Sequence, residues 1–204
     1  QESFEAPEGT LTLPTLYDTV KTLDQVIDVD YTIPGCPPLP ESISQLLKAV
    51  EDFVYNGVPL PPKGTEIGIT TKTLCEECPR QKTGARITEL KEPFQVDIDP
   101  NACLMEQGIL CLGPATMGGC GARCTRVGQP CRGCYGPSPD VQEQGASIFT
   151  AVASLFPILD EDPTCGEDEI IRIMSSIKDP LGYFYAYTLG KSLIKRAVVE
   201  KGGN

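Results

Sequence analysis

Gly118-Gly119-Cys120-Gly121-Ala122-Arg123-Cys124-Thr125-Arg126-Val127-Gly128-Gln129-Pro130-Cys131-Arg132-Gly133-Cys134-Tyr135-Gly136-Pro137 spaces four thiols as C-x3-C-x6-C-x2-C among glycines and prolines. Residues of that kind favour turns and disfavour the interior of long helices or strands. A loop is therefore expected here, with its thiols directed by turns. Working upstream, four more cysteines follow the pattern Cys75-x2-Cys78-x24-Cys103-x7-Cys111, so that eight of the ten cysteines fall between positions 75 and 134. Each group of four contains a C-x2-C pair, whose short loop lets two sulfurs face one metal centre.

Three chemistries compete for this pattern. A disulfide framework belongs to small secreted chains, and neither the length of this chain nor its C-x2-C pairs suit one. Zinc held by four thiolates prefers two C-x2-C pairs joined by a modest loop; here each group has one such pair, but a zinc-stabilised cysteine-rich interaction module without a redox role stays open. Iron–sulfur ligation suits soft thiolates, and small neighbours allow backbone N–H groups to approach the sulfurs. Arg123, Arg126 and Arg132 are interleaved with the second group and are expected either to offset cluster charge or to lie on ordinary surface. The chain has no His, which removes Ser-His-Asp and Cys-His nucleophilic sites and His-ligated zinc.

Composition narrows the partners. Seventeen Lys and Arg against 28 Asp and Glu give a net charge of −11, opposite to a nucleic-acid footprint or attraction to anionic membranes. The apolar run from Ala146 to Leu159 is shorter than the ~20 residues a spanning helix needs. Neither nucleic acid nor a membrane is expected as a partner. The first residue is Gln1 rather than Met, which is read as truncation of a longer chain. With 20 Gly and 19 Pro in 204 residues, much of the backbone is expected in loops.

Residues 1–24 read as an extended surface segment. Ile27, Val29, Tyr31 and Ile33 alternate with polar residues as in a half-buried strand, ending at Pro34-Gly35. Pro40 then opens a helix with Ile43, Leu46, Leu47, Val50 and Phe53 on one face, stopped at Asn56-Gly57. Cys36 thus lies between a strand end and a helix start, where open α/β sheets bind ligands. Residues 58–72 read as a linker, and Leu74 to Gly136 as cysteine-dense and poor in regular structure. Three short helical stretches follow: one with Ile148, Val152, Leu155 and Phe156, one with Ile170, Ile171, Met174 and Ile177, and one from Leu181 to Lys195. Cys165, apart from the rest, reads as a structural or free thiol. The acidic residues Asp160-Glu161-Asp162 and Glu167-Asp168-Glu169 read as solvated surface.

The segment Asp30-Tyr31-Thr32-Ile33-Pro34-Gly35-Cys36-Pro37-Pro38, the spacing from Cys75 to Cys134, and Pro130-Cys131-Arg132-Gly133-Cys134-Tyr135-Gly136-Pro137 together resemble the small subunit of nickel–iron hydrogenases. The resemblance implies an electron-transfer subunit, with no nickel–iron site of its own, in an oxidoreductase acting on dihydrogen. It implies that Cys36 is one ligand of a proximal 4Fe-4S cluster. Cys75, Cys78, Cys103 and Cys111 would hold a distal cluster, and Cys120, Cys124, Cys131 and Cys134 a medial one. Cys75 stands where many members have His, Cys124 argues for a medial 4Fe-4S rather than 3Fe-4S centre, and the interval from Cys103 to Cys111 is slightly longer than usual.

Family members carry an N-terminal flavodoxin-like domain that supplies three further proximal ligands, and no cysteine precedes Cys36 here. Either the chain is truncated or its proximal cluster is incomplete. The implied fold is an α/β remnant, residues 1–60, from the C-terminal part of the flavodoxin-like domain. A loop-rich, mainly irregular and α-helical two-cluster iron–sulfur domain follows over residues 61–204. Within the family the likeness is to the cytoplasmic group, closest to the methyl-viologen-reducing type and near the sulfhydrogenase delta subunit. The implied partners are the nickel–iron large subunit and an iron–sulfur or flavoprotein acceptor subunit, such as a heterodisulfide reductase.

Overall fold

The computed structural model describes residues 3–12, 21–157 and 166–194. Cys165, the acidic residues 160–162 and Lys195 lie outside these ranges. The chain opens with an antiparallel hairpin of β1 (Ser3–Ala6) and β2 (Gly9–Thr12), where an irregular extended segment was expected. The alternating stretch yields only a two-residue strand, β3 (Tyr31–Thr32), preceded by a 3-10 turn at Leu23–Gln25. Its partner is β4 (Thr65–Glu66), paired in parallel, inside the stretch read as linker. Local contacts explain this pairing: Tyr31 Oη donates to the Pro61 carbonyl at 2.7 Å, and Gly64 N–H donates to the Asp30 carbonyl at 2.7 Å.

Between these strands runs α1 (Pro40–Asn56), with Pro at its start and Gly57 in the left-handed conformation at its end (φ 66°), matching the expected stop signals. Its apolar stripe is not buried among the described residues. Ile43, Leu47, Val50 and Phe53 are all exposed, and Ser42 is the one buried residue of the helix. The order β3–α1–β4 is a parallel β-α-β unit.

The core lies instead under the cysteine-dense segment. Short helices α2 (Leu74–Glu77) and α3 (Arg123–Arg126) and several 3-10 turns punctuate otherwise irregular chain. That chain is tied by isolated bridges, Thr73 to Met117, Gln81 to Ala102, Lys91 to Ile109 and Thr116 to Pro137. Leu104, Ile109 and Leu112 are fully buried there, together with Ile148, Val152 and Phe156 from the region of α4 (Gln144–Ala153). Helix α5 (Glu167–Ser175) turns Ile173 and Met174 inward and leaves Ile171 exposed, and Ile177 beyond its end packs against the core. The third expected helix is broken into α6 (Pro180–Phe184) and a 3-10 turn at Leu189–Lys191. Asp179 caps the start of α6, and its end turns Tyr185 down into the core against Gly145. Among the described residues no helix is long and apolar enough to cross a membrane.

One close backbone crossing sets the path of the second cysteine group. Gly119 has φ 122°, and a Cβ there would lie 2.4 Å from the Gly68 carbonyl oxygen. Both the torsion and the crossing exclude a side chain. Gly119→Ala is expected to destabilise the fold by about 3 kcal/mol, read by denaturant unfolding; an unchanged midpoint would refute the crossing.

Candidate metal centres

Among the described residues the nine cysteines are free thiols, with Cys36 and Cys124 exposed and Cys111 and Cys131 buried. The first group converges. Helix α2 carries Cys75, its C-terminal flank presents Cys78, and the turns near 103 and 111 bring in the other two. All four thiols line one narrow, largely apolar cleft. Gly113 lies between two of them: a Cβ at that position would sit 3.1 Å from Cys75 Sγ and 3.7 Å from Cys111 Sγ. The absence of a side chain keeps this wall of the cleft open.

Donors point at the sulfurs. Cys111 Sγ accepts from Cys131 N–H at 3.3 Å, and the N–H of Gly113 also faces it. Cys78 Sγ in turn donates to the buried Thr125 Oγ1 at 3.1 Å. Two cations, Arg80 and Lys82, line the same cleft. Burial pushes the Cys75 thiol up while the Lys82 ammonium beside it opposes that. The Cys111 thiol is pushed up to about 11, first by burial. A cluster is ligated by thiolates and tuned by N–H donors to sulfur; the first group brings four thiols to one apolar cleft and aims two N–H groups at Cys111.

The second group is arranged differently. Cys120 lines a groove with Glu41, Arg123 and Arg126, whereas Cys134 lines a separate cleft beside Tyr135 and Tyr187. Cys131 is turned into the core, 5% exposed, where its Sγ accepts from Gly133 N–H at 3.4 Å; burial pushes its thiol up to about 12. Burial pushes the Cys134 thiol up, the N–H of Cys36 faces its sulfur and opposes that, and Cys124 and Cys36 lie near it. Cys36 is thereby placed against the second group. Cys120 receives the N–H groups of Ala122 and Arg123, because Ala122 adopts the left-handed conformation (φ 54°) at the start of α3. Among the described residues, no three Cys, Asp or Glu side chains are placed to hold a single metal ion.

The arginines singled out by their interleaving have other engagements. Arg123 pairs with exposed Glu41 at 3.0 Å, a contact worth little. Arg126 Nε donates to the Gly121 carbonyl at 2.7 Å, and the Arg132 guanidinium lies 4.1 Å above the Tyr183 ring. Sequence reading missed Arg80, Lys82, Thr125 and Glu77. The last of these accepts from Gly119 N–H at 2.7 Å and Gly121 N–H at 3.0 Å, tying the first group's helix to the loop of Cys120. Its position between the two cysteines of a C-x2-C pair was the available signal.

Since the raised thiols hold their protons beyond the ordinary value, their contribution to the stability of metal-free protein is complete below pH ~9 and is lost as pH climbs towards 11 to 12. At pH 8, alkylation of metal-free folded protein is expected to label Cys36 and Cys124 and spare Cys111 and Cys131, read by peptide mass mapping. Equal labelling of all four would contradict this burial.

No family model matches the chain. Among curated proteins it is 37% identical, over 93% of its own length and 58% of the relative's, to the G subunit of the F420-non-reducing hydrogenase of Methanothermobacter marburgensis. To the G-type iron–sulfur subunit of the F420-non-reducing hydrogenase of Archaeoglobus profundus it is 37% identical over 95% of its own length and 57% of the relative's. The corresponding G subunit of Methanothermus fervidus is 41% identical over 63% of this chain and 99% of the relative. The chain thus spans less than three fifths of the first two relatives and nearly all of the third. By this likeness along its length, the chain belongs to the family of F420-non-reducing hydrogenase G subunits.

Proposed function

We propose that this chain is the electron-transfer small subunit of a nickel–iron hydrogenase, relaying electrons from dihydrogen oxidation through 4Fe-4S clusters to an acceptor protein. The observation that carries the reading is the convergence of Cys75, Cys78, Cys103 and Cys111 on one cleft in a chain similar to a protein named as an iron–sulfur subunit. These four would hold the distal cluster. Cys120, Cys124, Cys131 and Cys134 would hold the medial one, and Cys36 would give one ligand to a proximal cluster. Each group of four has one C-x2-C pair and unequal intervals to its other ligands, where zinc sites prefer two such pairs. That arrangement supports the cluster reading over the zinc module.

Such clusters supply one-electron redox chemistry at sulfur-ligated iron. The protein's own part is to hold the thiolates in place, exclude water and aim dipoles at them. Leu104 and Met105 close the first cleft against solvent. The N–H of Cys131 on Cys111 Sγ links a residue of the second group to a sulfur of the first through a single hydrogen bond. The β3–α1–β4 unit is read as the remnant of a flavodoxin-like domain, with Cys36 at its ligand-binding edge. The partners would be the nickel–iron large subunit and an iron–sulfur or flavoprotein acceptor such as a heterodisulfide reductase, in the cytoplasm.

Purified anaerobically with its natural partners, the protein is expected to carry about eight irons and matching acid-labile sulfide on its two complete clusters, with a brown colour. Cys103→Ala is expected to remove about four of those irons. A colourless preparation carrying zinc and no labile sulfide would overturn the assignment.

A further inference from the structure

Arg80 is the one buried cation of the described core, at 8% exposure. Its Nε donates to the Thr125 carbonyl at 2.8 Å, and its Nη1 donates to the carbonyls of Asp99 at 2.7 Å and Ala102 at 3.0 Å. Every acceptor is a neutral carbonyl, and among the described residues no carboxylate pairs with it. A guanidinium stays charged in proteins, and an isolated buried charge is costly unless an opposite charge is near. Arg80 forms part of the wall of the cleft lined by Cys75, Cys78, Cys103 and Cys111, and its Nη2 lies toward Gly128. Lys82 lies on the same wall, with its ammonium beside Cys75. The second group differs, because there the Glu77 carboxylate bears on Cys120.

We infer that Arg80, assisted by Lys82, is the built-in counter-cation of the first cysteine group and holds the reduction potential of the centre there above the value its four thiolates alone would set. This rests on the cluster reading above and adds the tuning residue. Reduction adds one electron and one negative charge to that centre, and no bond forms or breaks. A fixed cation in a dry wall stabilises the reduced form more than the oxidised one. Arg80 is a positioning and tuning residue and not a ligand. Its three carbonyl contacts hold the charge in place so that little reorganisation accompanies electron arrival.

The test is a redox titration followed by electron paramagnetic resonance on the whole hydrogenase complex, with iron and labile sulfide measured on each sample. In Arg80→Met, one cluster signal is expected to shift its midpoint down by the equivalent of a tenfold change in the reduced-to-oxidised ratio, 59 mV for one electron. Iron content and the remaining cluster signals are expected to stay as in the parent. Arg80→Lys keeps the charge and loses the fork, so its midpoint should remain near that of the parent. A purely structural role predicts the opposite, with Lys as damaging as Met. Should Arg80→Met lose iron, Lys82→Met decides, since Lys82 is exposed; a smaller fall in the same signal is expected. Unmoved midpoints in loaded Arg80→Met, or in Lys82→Met where that decides, overturn the inference. Absence of iron–sulfur signals in the unmodified complex overturns the function proposed above instead.

Discussion

Sulfur taken out of water is the constraint on which the rest of this structure depends. Cys111 and Cys131 are 7% and 5% exposed and belong to the same apolar core as Leu112, Ile148 and Phe156. Burial opposes the thiolate form that a metal centre requires. The fold answers with dipoles and cations: N–H groups of Gly113 and Cys131 on one sulfur, of Ala122 and Arg123 on another, and Lys82 beside Cys75. Turns rich in glycine are what allow backbone N–H groups so close to sulfur, which accounts for the irregular chain in this region.

Irregular chain has to satisfy its polar backbone without long ladders. Here single bridges and a few buried side chains take that part. Gln144 Nε2 donates to Thr116 Oγ1 at 3.0 Å under α4, and Tyr183 Oη reaches the Leu110 carbonyl at 3.1 Å from α6. The C-terminal helices therefore act as a lid of apolar and hydrogen-bonding residues laid over the cysteine loops. Removing solvent from those loops raises the strength of every charge interaction inside them.

The two cysteine groups are mechanically joined. Glu77, between the cysteines of the first pair, anchors Gly119 and Gly121 around Cys120, while Arg80 holds the Thr125 carbonyl next to Cys124. Thr125 in turn lies against Cys78. Displacing one loop must shift the other, so the distance between the two groups is set by short hydrogen bonds and not by a flexible linker.

The cysteine spacing and the lack of histidine by themselves pointed any metal site among these residues to thiolates, and the acidic balance is opposite in sign to a nucleic-acid footprint. The start and stop of α1 were equally legible, because Pro40 and Gly57 act locally through their own torsions. What tertiary structure alone decided were matters of contact at long range. The stretch from Ile27 to Ile33 alternates like a strand but pairs over two residues only, since its partner β4 is that short. The stripe on α1 reads as a core face yet finds no cover among the described residues. The charged groups at the first cleft were hidden for the same reason: Arg80 lies near Thr125 only after a separation of 45 residues is folded out. Spacing along a chain reports which sulfurs can share a loop, whereas the cation that faces them is set by packing.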